Sequence, residues 1–106
     1  MALVVVLAAC HLGEDRAGWE KFVTDTTKAE PHRWSAGDTA ALVQFGYDYC
    51  AQRDPARSKP GPDDRVVDRL WAGLVSHGIP VDQADGPQFA RMLASVAQKK
   101  LCPVGL

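Results

Sequence analysis

The sequence predicts an all-α fold, a small four-helix bundle stapled by one disulfide. Three observations carry that expectation. Apolar residues recur at helical rather than alternating spacing in four separate segments. Each segment is bounded by capping residues, glycines or prolines. Cys50 and Cys102 end the second and fourth segments. In an antiparallel bundle three chain reversals leave the even-numbered helices parallel, so those two thiols share one end of the molecule.

At 106 residues the chain holds one domain at most. The 12 Lys+Arg against 13 Asp+Glu give no basic excess to drive counterion release, which argues against nucleic acid as a partner. A hydrophobic content of 46% builds only a small core, so a covalent staple matters. There is no internal repeat, no low-complexity run and no apolar stretch long enough to span a bilayer.

The expected organisation is a signal peptide over 1–9, a tether and helix start over 10–18, and a helical domain over 19–106. Leu3 to Ala9 is an uninterrupted apolar run that suits the h-region of a signal peptide. It ends in Leu7-Ala8-Ala9-Cys10, which is similar to the lipobox of bacterial lipoproteins. In that reading the Cys10 thiol takes a diacylglyceryl group and cleavage follows Ala9. No Lys or Arg precedes the run, a departure from the usual signal pattern. The alternatives are a simple secreted protein, or a buried segment in which Cys10 is an ordinary small hydrophobe. Cysteine parity favours export with an anchor. Of three cysteines, acylation removes Cys10, and an exported domain oxidises the remaining Cys50 and Cys102. There is no C-x-x-C to suggest a redox or zinc motif.

Glu14 and Asp15 are expected in the first turn of the first helix, where acids suit the positive end. Trp19, Phe22, Val23 and Thr26 form its stripe, and the pattern stops before Pro31. The second helix is expected over 36–52, opened by a Ser35-x-x-Asp38 capping box. Leu42, Phe45, Gly46, Tyr49 and Cys50 share one face, with Gly46 as a gap that admits close packing. Arg53 to Gly61 reads as a flexible polar loop. Pro62 is expected to open the third helix, with Asp63 and Asp64 in its first turn and Val67, Leu70, Trp71 and Leu74 as its apolar face. Gly78, Ile79 and Pro80 read as a left-handed cap and stop. Asp82 to Gly86 is a turn before Pro87 opens the fourth helix. Its stripe is Phe89, Leu93, Val96, Ala97 and Leu101, with Lys99 and Lys100 where cations favour the helix end.

Little in the chain suggests catalysis. His11, His32 and His77 form no HxxxH or HExxH pair, and they read as surface or cap residues rather than metal ligands. Ser35, Ser58, Ser76 and Ser95 lack a nucleophile-turn motif. Asp63 and Asp64 point about a hundred degrees apart on a helix and serve better as helix-start acids than as a glycosidase pair. Trp19 and Trp71 lie on stripes. Trp34 lies off-stripe, so it is the tryptophan expected to be exposed and the candidate ligand contact.

Phe22, the G-x-x-x-C from Gly46 to Cys50, and the Cys-Pro at Cys102-Pro103 resemble the pattern of the domain of unknown function 732. That family comprises small secreted or lipid-anchored proteins of actinobacteria and is also met in their phages. The likeness covers roughly 19–103, and the 53–61 loop departs from it in being longer and richer in proline. The resemblance implies a helical exported domain with one disulfide and no assigned activity. The expectation is therefore a non-enzymatic structural or interaction module without a cofactor, held by Cys10 on the outer face of the cytoplasmic membrane and partnered by an envelope protein. The alternative is a carrier of a small apolar ligand between the helices. An envelope hydrolase stands third, and it requires a Ser, a His and a carboxylate converging in a cleft.

Overall fold

The computed structural model describes residues 14–59, 61–80 and 85–102. The expected signal peptide, Cys10, His11, most of the 82–86 turn and Pro103 lie outside the described residues. The described residues form four α-helices in order: α1 (Arg16–Lys28), α2 (Ala36–Gln52), α3 (Asp64–Ser76) and α4 (Gly86–Lys100). Among the described residues there is no strand, and no helix is long and apolar enough to cross a membrane.

Local chemistry explains the boundaries. Glu14 and Asp15 precede α1 rather than sit in its first turn, because Asp15 serves as the N-cap, accepting from the Gly18 N–H at 2.8 Å. The α2 capping box forms in full. Ser35 Oγ accepts from the Asp38 N–H at 3.0 Å, and Asp38 accepts from the Ser35 N–H at 2.9 Å. Gly78 has φ +91°, and the Ile79 N–H reaches Leu74 O at 3.1 Å while the Gly78 N–H reaches Val75 O at 3.0 Å. Both bonds of a Schellman cap are therefore present at the end of α3. Two expectations at the other end of α3 are corrected. Pro62 lies before the helix rather than in it, and Asp63 is the N-cap rather than a first-turn acid.

The core is built on α2, which packs against each of the other three helices. The Trp19 indole of α1 lies across α2 at Gly46, where its Nε1–H donates to Val43 O at 3.0 Å. A Cβ on Gly46 would fall 2.6 Å from that nitrogen, and nearer still to two ring carbons. The gap expected at Gly46 is thus filled by an indole that reaches the helix backbone itself. Toward the α1–α2 and α3–α4 turns the core is aromatic. Trp34 stacks on Phe89 at 5.6 Å, Phe89 meets the edge of Trp71 at 5.8 Å, and Trp71 meets Phe45 at 6.0 Å. Such pairs each add about 0.5–1.5 kcal/mol beyond area burial.

At the opposite pole the core ends in a disulfide and a polar network. Cys50 and Cys102 are bonded, with Cα atoms 5.0 Å apart. Beside them Tyr49 Oη donates to Gln98 Oε1 at 2.7 Å and accepts the Asp63 N–H at 2.7 Å. Gln98 Nε2 donates to Ser58 O, and Ser58 Oγ donates to Asp54 O. The loop read as flexible is therefore a bonded corner. It carries a short 3₁₀ turn over Pro55–Arg57, and Ser58 is buried.

Candidate functional site

The helix poles decide where chemistry can occur. At the α3 end, Ser76 Oγ sits 3.4 Å from His77 Nδ1, a serine–histidine pair. Its geometry is that of a cap. Nδ1 is 2.7 Å from Gly73 O, a carbonyl that can only accept, so the ring proton lies there and Nδ1 has no lone pair for Ser76. Ser76 Oγ in turn donates to the same Gly73 carbonyl at 2.8 Å. His32 is exposed in the α1–α2 connection. Among the described residues no group of three or more His, Cys, Asp or Glu could hold a metal ion.

Asp63 is the most buried carboxylate among the described residues, at 2% exposure. Its Oδ2 accepts the Asp54 N–H at 2.9 Å, while Oδ1 has no hydrogen-bond partner. The Asp54 N–H holds this carboxyl below its ordinary range, burial opposes that, and the N–H groups of Val66 and Arg65 and the Arg57 charge reinforce it. Lowering a carboxyl's value on folding means that its contribution to stability is full above the unfolded value and is lost as pH falls through the folded one. Asp63→Asn keeps an oxygen for the Asp54 N–H but removes the charge. Its stability should therefore fall less steeply below about pH 4 than that of the parent, as read by denaturant melts across the acid range. Matching acid limbs would show that Asp63 does not set the pH dependence.

Trp34 is corrected. It is 9% exposed rather than open to solvent, because α4 brings Phe89 beneath it and Arg33 lies 5.5 Å over its ring. The rim of the ring borders two clefts. One of about 100 Å³ also touches Glu30, Arg33 and Asp85. The other, about 310 Å³, is edged by Lys28, Pro31 and several hydroxyls. Those of Thr27 and Thr39 are engaged within the fold. Thr39 Oγ1 donates to Thr27 Oγ1, and Thr27 Oγ1 to Thr24 O.

A cleft of about 680 Å³ lies between α1 and α4 at the pole that holds Asp15 and Lys100. Half-buried Phe22 and Val96 form an apolar floor, with Glu14 and Asp15 on the α1 side and Lys99 and Lys100 on the α4 side. The Asp15 N–H donates to Lys100 O, so the entering chain satisfies a carbonyl left free at the α4 end. Lys100 Nζ also lies 3.7 Å from Asp15 Oδ2. Sequence reading placed each of these six residues on its own helix and missed their meeting. The available signal was Phe22, which falls beside the Trp19, Val23 and Thr27 line that is buried. Comparison with known protein families, curated proteins and solved structures finds no match for this chain.

Proposed function

We propose that this is a small exported protein, lipid-anchored at Cys10, that serves as a non-enzymatic structural or interaction module in the cell envelope. The observation that carries the reading is the pairing of Cys50 with Cys102. It leaves Cys10 as the unpaired third cysteine, at the end of an apolar run and directly after two alanines. A disulfide belongs to an oxidising compartment, and a diacyl anchor supplies the two chains that stable attachment needs. The resemblance to the domain of unknown function 732 supports the same placement. A carrier role is the second reading, favoured by the cleft over Phe22 and Val96 rather than by Trp34. Expressed with a full export signal in a suitable bacterium, the protein should incorporate labelled fatty acid and fractionate with membranes. Cys10→Ser should abolish the label. Label that survives the substitution would end the lipobox reading.

A further inference from the structure

We propose that the corner between α2 and α3, residues 53–63, is an acid-released flap latched by the Asp63 carboxylate. The inference goes beyond the anchor and carrier readings and depends on neither.

The first observation is how the corner is attached. None of its residues from Arg53 to Lys59 belongs to the apolar core, and Pro55, Ala56, Arg57 and Lys59 are exposed. It is drawn inward by hydrogen bonds, from the Asp54 N–H to Asp63 Oδ2 at 2.9 Å and from Gln98 Nε2 to Ser58 O at 2.9 Å. A segment held by polar bonds without buried apolar side chains opens at low cost.

The second is the state of Asp63. An ionised carboxylate only accepts, which suits the Asp54 N–H. A proton on Oδ2 would forfeit that bond. A proton on Oδ1 would be a buried donor with no acceptor among the described residues. Once the corner opens, water satisfies either form, so the open corner takes up the proton more readily than the closed one. The closed corner holds this carboxyl below its ordinary range in the same sense, with the Asp54 N–H as the leading cause. Opening is therefore insensitive to pH above the ordinary carboxyl value of about 4 and grows as pH falls through it. It levels off again below the closed-state value. The charge facing Asp63 from the corner is Arg57, whose guanidinium also lies 3.7 Å from Asp54 Oδ2. The other oxygen of Asp54 accepts from the Ala56 N–H. From α3 come the Arg65 and Val66 N–H groups, from α2 the Tyr49 hydroxyl, and α4 reaches the group through Gln98.

The third is what confines the motion. The Cys50–Cys102 bond ties α2 to α4 just before the corner, and the Val67 N–H to Asp63 O bond begins α3 just after it. The flap thus moves between two fixed points and uncovers Ser58, which is buried when it is closed.

Amide exchange followed by NMR on the disulfide-bonded protein, from about pH 6 to about pH 3 with intrinsic rates divided out, reads the opening residue by residue. Protection of the Asp54 amide should fall by up to about tenfold per pH unit below about pH 4. Phe45 in α2 and Leu93 in α4 should keep theirs across that step. Asp63→Asn should raise exchange at Asp54 already at neutral pH and abolish the step. Asp54→Asn keeps the N–H donor and should leave the step in place. The carboxyl carbon resonance of Asp63 in the parent gives a reading that needs no variant, and its midpoint should lie below the ordinary carboxyl value. An Asp54 amide indifferent to pH, a step that survives Asp63→Asn or vanishes in Asp54→Asn, or an Asp63 that titrates at the ordinary value would overturn the proposal. So would helix amides that lose protection together with the corner, since acid would then unfold the whole bundle rather than release a flap.

Discussion

Reduction of the Cys50–Cys102 bond should lower stability by about 4 kcal/mol. The bond spans a sequence separation of 52, and closing a loop of that length removes chain entropy mainly from the unfolded state. A domain of this size moves its melting temperature by about 4–8 °C per kcal/mol, so the reduced protein should melt about 15–30 °C lower. Against a typical total of about 5–15 kcal/mol, the bond can decide whether the domain is folded at all. Its position enlarges the effect. Cys102 is fully buried, and the Tyr49–Gln98–Asp63 network adjoins it, so a frayed α4 end would also expose that network. Thermal melts with and without reductant, beside Cys50→Ser with Cys102→Ser, measure the effect. A melt unchanged by reductant, with both thiols then alkylatable, would show the bond to be energetically idle.

Gly46→Ala should destabilise the fold even though the helix interior favours alanine. Replacing a helical glycine by alanine ordinarily gains about 1 kcal/mol. Here the new methyl would occupy the space of the Trp19 indole, which is itself fully buried and bonded to Val43 O. Overpacking of that kind costs about 1–3 kcal/mol, and the displaced indole would also lose its hydrogen bond, worth about 1 kcal/mol. The overlap should therefore outweigh the propensity, and Gly46→Leu should cost more than Gly46→Ala. A double-mutant cycle isolates the cause. In a Trp19→Leu background the indole is gone, so Gly46→Ala should become neutral or stabilising. Denaturant unfolding that shows the same penalty in both backgrounds would place the conflict elsewhere than at Trp19.

Most of the helix framework was legible in the sequence, because caps and periodicity are local. The second helix falls at its expected ends because Ser35 and Asp38 form a capping box whose parts are three residues apart. The Gly78 cap was legible for the same reason, since no residue but glycine adopts its φ cheaply. What failed was the burial of residues whose partners are distant. Trp34 looked unattached because its cover, Phe89, is contributed by α4. Asp63 looked like a solvent-facing helix acid because the groups that enclose it, the Asp54 N–H and the Tyr49 hydroxyl, come from outside its helix. The α1–α4 cleft shows the same limit. Glu14, Asp15, Lys99 and Lys100 were each accounted for by the dipole of their own helix, and nothing local brings the two pairs face to face.

The backbone contact between Asp15 and Lys100 also fixes how the domain would respond to force. Asp15 and Cys102 lie on the same pole, where α4 is bolted to α2 by the disulfide. A pull applied between Asp15 and Cys102 meets the Asp15–Lys100 bond head on and can open it like the end of a zipper, a weak mode of resistance. The disulfide lies behind that first bond and passes the load into α2, the helix that carries Gly46 and the Trp19 indole. Load drawn through Asp15 away from the body would therefore peel the start of α1 first and spare the α2–α4 pair, leaving the aromatic pole undisturbed until the indole itself is drawn out.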